Sequence, residues 1–145
     1  MAIRFYTKND PYYELSNFSP YGIEMNGLWY PTVEHYFQAQ KFNDPEYQEK
    51  IRTARTPKDS KSLGLSRQIP IRSDWQEVKD EIMFEACLKK FQTHKSLKEL
   101  LLSTGDEELI ENAPMDYYWG CGETGTGQNK LGKILMRVRE QLRES

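Results

Sequence analysis

Glycines and side chains capable of chemistry are concentrated in one late segment of this chain. Residues 116–132, DYYWGCGETGTGQNKLG, contain five of its nine glycines, namely Gly120, Gly122, Gly125, Gly127 and Gly132. Glycine lets a backbone approach a ligand closely, and the start of a helix exposes N–H groups that carry partial positive charge. The segment therefore predicts a binding site for an anion such as phosphate. Asp116 and Trp119 stand directly before the glycines, where they would face a sugar or a flat base.

Two familiar phosphate-binding motifs match this segment only in part. The GxGxxG fingerprint requires a buried strand ahead of it, whereas acidic and aromatic residues precede Gly120 here. The outer glycines of a P-loop are present, but Gln128 and Asn129 stand where that motif requires a lysine followed by serine or threonine. Taken alone, the glycines fit a surface loop or linker as well as a binding site. The adjoining Trp119 and Asp116 favour the binding site.

Glu34, Gln38 and Lys41 form a second group, with the spacing of a helix. Glu34 and Gln38 are four residues apart and Gln38 and Lys41 are three apart, so all three can share one face. In a pocket, the acid would act as a base or stabilise a cation, and the amine would pair with a phosphate or a leaving group. A solvated helix face is the alternative. The aromatic residues Tyr36 and Phe37 in the same stretch disfavour that alternative.

Two more polar residues have simpler interpretations. Asn17 lies in the polar turn LSNFSP, residues 15–20, where it would either present its side chain to a ligand or close an ordinary Asx or Ser turn. His35 is predicted to be a hydrogen-bonded structural histidine rather than a ligand.

Cap and turn signals outline the elements that must position these groups. Residues 3–6 can form a strand, and Asn26-Gly27 between two apolar stretches is typical of a type I′ hairpin. Residues 108–112 indicate a further short strand. Six helices are predicted, each after a cap residue. The first helix reaches Phe42. The fifth begins with a capping box of Ser96 and Glu99 and ends at Gly105. These caps are Thr32, Asp44, Thr56, Ser73, Ser96 and Asn129. The predicted fold is α+β: one compact, mostly helical domain over residues 1–145 with a small N-terminal β element.

Composition restricts the class of protein. The formal net charge of −2 argues against broad electrostatic capture of nucleic acid, so a small molecule is the expected partner. No apolar run suits a signal peptide or a membrane span, and a cytoplasmic location is expected. Cys87 and Cys121 are expected to be free thiols. With only two histidines beside them, a structural metal site is not expected.

Four segments together resemble the NADAR family, whose bacterial members include N-glycosidases of riboflavin intermediates. They are LSNFSP (15–20), EHYFQAQKF (34–42), TGDEELIENAP (104–114) and DYYWGCGETGTGQNKLGKILMRVR (116–139). The correspondence extends over nearly the whole chain. It implies a compact, mostly helical fold and hydrolysis of the N-glycosidic bond of phosphoribosylaminopyrimidines, with release of ribose 5-phosphate. Some relatives act instead on ADP-ribose attached to a nucleic-acid base. Two alternatives therefore stay open: an ADP-ribose hydrolase and a nucleotide-binding module without turnover. A nucleic-acid partner is expected only for the ADP-ribose hydrolase.

This resemblance assigns candidate roles. Cleavage of the bond passes through an oxocarbenium-like centre, which one carboxylate stabilises while a base positions water, and Glu34 and Asp116 are the candidates. Which carboxylate does which is left open. No metal or cofactor is required by this scheme. Trp119 would stack on the departing pyrimidine, Lys41 would contact the phosphate beside the glycine segment, and Asn17 would orient the ribose or base. The expected substrate-binding residues are Asn17, Phe18, Gln38, Lys41, Trp119, Gly120, Gly125, Gly127 and Asn129.

Overall fold

The computed structural model describes residues 1–144 as two compact units. Residues 20–90 form the central unit, and residues 1–19 form the terminal unit together with the chain from Phe91 onward. The α+β class predicted from the sequence is confirmed, and the single domain stays a prediction. Within residues 1–144, no helix is both long enough and apolar enough to cross a bilayer. Cys87 and Cys121 are buried free thiols, as predicted.

Six α-helices and four short strands make up the described part of the chain, and a short 3-10 helix spans Tyr13–Leu15. The strands are β1 (Ile3–Phe5), β2 (Ile23–Met25), β3 (Leu28–Tyr30) and β4 (Leu109–Glu111). The helices are α1 (Val33–Ala39), α2 (Pro45–Arg52), α3 (Pro57–Leu65), α4 (Trp75–Thr93), α5 (Lys95–Ser103) and α6 (Lys130–Arg143).

Side-chain caps start the first three helices where the sequence predicts them. The Thr32 hydroxyl oxygen accepts the His35 amide at 3.1 Å and begins α1. Asp44 caps α2 by accepting two amide hydrogen bonds, and Thr56 caps α3. The caps satisfy N–H groups that have no partner inside a helix. α1 ends at Ala39 rather than Phe42, because the amides of Lys41 and Phe42 donate to carbonyls only three residues back.

The hairpin of β2 and β3 precedes α1 in the central unit and has the predicted register. Ile23 pairs with Tyr30 and Met25 with Leu28. Asn26 and Gly27 both have positive φ, at 56° and 83°, as a type I′ turn requires.

Aromatic pairs pack α1 and the residues after it against their neighbours in the central unit. Their ring centroids lie 4.7 to 5.0 Å apart in tilted or edge-on geometries, which favour such pairs beyond the area they bury. The pairs are Tyr36 with Tyr30, Phe37 with Trp75, and Phe42 with Tyr47. α1 is therefore held on several sides.

Two predicted caps are wrong, and a third lacks the expected side-chain hydrogen bond. α4 begins at Trp75, directly after Asp74, whose carbonyl accepts the Val78 amide, so Ser73 is not its cap. α5 begins one residue before Ser96, with His94 as its cap, so Ser96 and Glu99 form no capping box. Asn129 is the cap residue of α6, as predicted, but it has the left-handed conformation and its side chain makes no capping hydrogen bond. Gly105 does follow α5 with a φ of 63°, as predicted.

In the terminal unit, β4 has partners on both edges. On one edge it pairs in parallel with β1, Ile3 opposite Leu109 and Phe5 opposite Glu111. On the other edge, the Asn129 carboxamide takes the place of a strand. Its Oδ1 accepts the Glu111 amide at 3.0 Å, and its Nδ2 donates to the Leu109 carbonyl at 2.9 Å. The Asn129 side chain thus completes a sheet edge instead of accepting a helix amide.

We expect Asn129→Asp to destabilise the protein by about 1–3 kcal/mol. The aspartate keeps the acceptor for Glu111 but sets a carboxylate oxygen against the Leu109 carbonyl, which leaves two buried acceptors facing each other. The free energy of unfolding in urea measures the effect. Gln128→Glu makes the same chemical change at the exposed neighbouring position and should stay near wild type. Equal stability of both variants and wild type would contradict the role of Asn129.

Candidate active site

Burial of α1 removes the solvated-face alternative for Glu34, Gln38 and Lys41. All seven residues of α1 are buried, and the exposed fractions of Glu34, Gln38 and Lys41 are 7%, 4% and 8%. Buried acidic and basic side chains are rare unless they are partnered, because removing a charge from water is costly. This polar group in the central unit is therefore a candidate site.

The Glu34 carboxylate is fixed by an amide on its own helix. Gln38 Nε2 donates to Glu34 Oε2 at 2.6 Å, one helical turn along. The other amide atom, Gln38 Oε1, is buried and accepts no hydrogen bond from the described residues. Gln38 thus holds one carboxylate oxygen and keeps a buried acceptor beside it.

Lys41 is a buried lysine with a lowered pKa. Burial lowers its pKa from 10.5 to about 8, against the attraction of Glu34, which raises it. The positive charges of Arg67, Lys61 and Lys79 lower the pKa further. Lys41 therefore feels the attraction of one buried carboxylate and the repulsion of three other cations.

The Gly64 carbonyl of α3 brings two of these cations together. Its oxygen accepts Arg67 Nη1 at 2.8 Å, and Lys41 Nζ lies 3.5 Å from the same oxygen. Lys61, Gly64 and Arg67 were missed by sequence reasoning. The sequence did contain one signal for Gly64. The Thr-Pro cap predicts a helix, and a glycine inside a helix indicates close packing.

His35 is structural, as predicted. Nε2 lies 3.0 Å from the Ala54 carbonyl, which can only accept, so Nε2 carries the proton. Nδ1 then accepts from the Thr32 hydroxyl at 2.8 Å. Burial lowers the pKa of His35 and favours this neutral form. The ring ties the start of α1 to the turn after α2.

The glycine segment in the terminal unit is internally hydrogen-bonded. Loop carbonyls accept the amides of Gly125, Gly127 and Asn129, with distances of 3.3, 2.7 and 2.9 Å. The next two amides, those of Lys130 and Leu131, donate to Tyr118 and Trp119. An anion site needs unpaired N–H groups. The amides of Gly125, Gly127 and Asn129 thus have partners inside the loop, and the substrate contacts expected of these residues and of Gly120 stay predictions.

Close packing accounts for the small residues in this loop. A Cβ atom on Gly120 would lie 2.9 Å from the Glu111 carbonyl oxygen, and one on Gly127 would lie 2.5 Å from the Gly120 carbonyl oxygen. Gly122 and Gly125 have φ values of 72° and 79°, which side chains rarely tolerate. The Cys121 amide also donates to the Glu111 carbonyl and attaches the loop to β4.

Asp116 forms an Asx turn in the same unit. Its Oδ1 accepts the Tyr118 amide at 3.0 Å and the Trp119 amide at 2.8 Å. The Trp119 ring packs edge-on against Tyr118, with centroids 4.9 Å apart. The turn thus sets the position of the indole, and the proposed contacts of both side chains with a substrate stay predictions.

Asn17 and Phe18 lie in a compact serine turn of the terminal unit. The Ser16 hydroxyl accepts the Phe18 amide at 3.1 Å, and the Ser19 hydroxyl donates to the Ser16 carbonyl at 2.8 Å. Asn17 is 7% exposed. The turn explains the local sequence, and the substrate contacts of Asn17 and Phe18 stay predictions.

The structure thus brings together Glu34, Gln38 and Lys41 in the central unit, and Asp116, Trp119 and the glycines in the terminal unit. The first group supplies a fixed carboxylate and the buried Lys41, which meets Arg67 at the Gly64 carbonyl. A fixed carboxylate can stabilise a developing cation or orient a water molecule, and the cations suit a phosphorylated ligand.

Comparison with known proteins agrees with this chemistry. The NADAR domain model matches residues 4–143. An N-glycosidase of Nostoc punctiforme is 49% identical over 99% of this chain and 94% of its own length. N-glycosidase YbiA of Escherichia coli is 44% identical over 97% of this chain and 88% of its own.

Two further comparisons concern the fold and a longer relative. The NMR structure of Escherichia coli YbiA has a TM-score of 0.91 and 43% identity, and covers 99% of this chain and 85% of the other. A riboflavin biosynthesis protein of Vibrio vulnificus is 41% identical over 98% of this chain, which spans 39% of that longer protein. The chain belongs to the NADAR family and is a hydrolase of N-glycosyl compounds.

Proposed function

We propose that this protein hydrolyses the N-glycosidic bond of phosphoribosylaminopyrimidine intermediates of riboflavin biosynthesis and releases ribose 5-phosphate. The observation that carries the proposal is the buried Glu34 carboxylate, which is held by Gln38 at 2.6 Å and attracts the buried Lys41. The name of the Vibrio vulnificus relative, a riboflavin biosynthesis protein, supports this class of substrate.

Glu34 supplies the charge that the reaction needs. As the C–N bond breaks, positive charge develops on the sugar, and a carboxylate at fixed distance stabilises it or positions the attacking water. A hydrogen bond from Gln38 keeps the carboxylate from reorganising during the step. Such preorganisation makes an electrostatic contribution effective in a site from which water is excluded.

Lys41 and the cations near it are the proposed phosphate ligands. The amides at the start of α6 already donate within their own loop, whereas Lys41 and Arg67 converge on one carbonyl oxygen beside the Glu34 helix. Charge-assisted contacts to phosphate are stronger than neutral ones. Trp119, Asn17 and Phe18 are proposed as contacts to the pyrimidine and the ribose, and Asp116 as the second carboxylate.

We expect the purified wild-type protein to release ribose 5-phosphate from the aminopyrimidine ribotide, and Glu34→Gln to reduce kcat on the order of 100-fold. Glutamine keeps the shape of the side chain and an acceptor for Gln38, so the variant should fold normally. Glu46→Gln, an exposed change of the same kind on α2, serves as the matched control.

A parallel incubation with ADP-ribosylated DNA separates the two substrate classes. Release of ADP-ribose without any ribose 5-phosphate from the ribotide would overturn the proposed substrate and identify the alternative hydrolase. Wild-type rates in Glu34→Gln on both substrates would overturn the role of Glu34.

The pKa of Lys41 predicts how substrate binding depends on pH. Above about pH 8 the lysine loses its proton, so KM for the phosphorylated substrate should rise. Lys41→Arg keeps its charge in this range, because arginine titrates above about pH 12, and its KM should stay flat. The comparison is made from roughly pH 6.5 to pH 10, which brackets the pKa of about 8 that Lys41 has in the folded protein.

The expected rise of KM with pH is not caused by unfolding. The folded pKa lies below the ordinary value of 10.5, so the unfolded chain binds more protons between these two values. The Lys41 contribution to the free energy of unfolding therefore increases as the pH rises through this window. An identical rise of KM in Lys41→Arg and wild type would show that another group titrates.

Asp116→Asn tests the second carboxylate separately from its turn. Asparagine keeps an Oδ1 acceptor for the amides of Tyr118 and Trp119, so the thermal midpoint should stay near wild type. We expect kcat to fall on the order of 100-fold if the charge acts on the sugar cation, as proposed. Asp116→Ala removes the acceptor and should also lower the thermal midpoint. Unchanged turnover in Asp116→Asn would restrict Asp116 to its structural turn.

A further inference from the structure

Gly64 occupies a place in α3 that its backbone conformation does not explain. It lies within the helix Pro57–Leu65 and is buried. Glycine weakens a helix relative to alanine, so a glycine at an ordinary helical position needs another reason.

The reason is the distance to the Gln38 side chain. A Cβ atom on Gly64 would lie 1.9 Å from Gln38 Oε1, 2.7 Å from its Cδ and 3.1 Å from its Cβ. The first two distances are far shorter than contacts between real atoms. Gln38 has little freedom to move away, because it is buried and its Nε2 is bound to Glu34.

The carbonyl of the same residue faces the cations. Gly64 O accepts Arg67 Nη1 at 2.8 Å and lies 3.5 Å from Lys41 Nζ. One residue of α3 thus contacts the amide that holds the acid and also contacts two proposed phosphate ligands. Its position fixes the separation between these two groups.

We propose that Gly64 is a positioning residue for Glu34 and Lys41. Lacking a side chain, it lets α3 approach α1 closely enough for Gln38 to hold the Glu34 carboxylate while the Gly64 carbonyl holds Lys41. This inference rests on the proposed function, because Gly64 acts on the reaction only through Glu34 and Lys41.

Gly64→Ala is the direct test. We expect kcat for the aminopyrimidine ribotide to fall on the order of 100-fold, because a displacement of about 1 Å in a catalytic group has an effect of this size. KM should change much less than kcat if the displaced group is mainly Glu34. Ser62→Ala, an exposed change in the same helix, should keep wild-type kinetics.

A double-mutant cycle distinguishes positioning from a general loss of structure. Gln38→Ala removes the clashing atoms and leaves only the 3.1 Å contact between Cβ positions, which a small shift can relieve. We expect Gln38→Ala to lower kcat, and we expect Gly64→Ala added to it to change kcat by less than about twofold. If Gly64→Ala alone does not fold, the double variant should fold and match Gln38→Ala.

Three outcomes would overturn the inference: wild-type kcat in Gly64→Ala, effects of the two substitutions that multiply in the double variant, or a double variant that fails to fold. Glu34→Gln keeps the two proposals separate. If Glu34→Gln is inactive while Gly64→Ala has wild-type kcat, only the role of Gly64 fails. If Glu34→Gln turns over at the wild-type rate, the proposed function fails as well.

Discussion

The cost of burying the Glu34 carboxylate constrains the central unit. A charge taken out of water must be matched by hydrogen bonds and opposite charge, or the group becomes neutral. The chain meets this requirement with the Gln38 amide on the next turn and with Lys41, whose own burial opposes its charge. Because the amide needs room, α3 carries glycine where it faces Gln38. The caps, the aromatic pairs and the His35 hydrogen bonds then hold α1 in place against its neighbours.

The glycine loop shows that one sequence pattern serves two physical purposes. Glycines before a helix build an anion site when the amides point outward without partners, and a tightly packed turn when those amides find carbonyls nearby. Here the amides of Gly125, Gly127 and Asn129 have such partners, and the Asn129 carboxamide completes the edge of β4. The Cys121 amide and the Asn129 side chain attach this loop to Glu111 and Leu109 by long-range hydrogen bonds, which no local pattern contains. The loop therefore serves first to position Trp119 and the start of α6.

Local signals were sufficient wherever the deciding interaction was local. The caps Thr32, Asp44 and Thr56 and the Asn26-Gly27 turn depend on residues within three positions, and all were predicted. Ser96 is not a cap because α5 begins one residue before it, and the Asn129 side chain bonds a distant strand instead of a helix amide. The helix spacing of Glu34, Gln38 and Lys41 indicated a shared face. It did not reveal Arg67 or Gly64, which reach that face only when α3 packs on α1. The family resemblance supplied the reaction, which neither spacing nor composition contains.

The arrangement of acid and cations also indicates where selectivity must lie. Glu34 lies in α1 and Lys41 just beyond its end, and in the proposed function they contact the reacting bond and the phosphate of one ribose. A phosphoribosylaminopyrimidine contains such a ribose, and so does an ADP-ribosyl conjugate, whose reacting ribose also carries phosphate on its fifth carbon. The two substrates differ in the departing base and in the group beyond the phosphate. If Glu34 and Lys41 act as proposed, they provide the chemistry common to both substrates, and discrimination must come from the side chains that contact the base and the group beyond the phosphate.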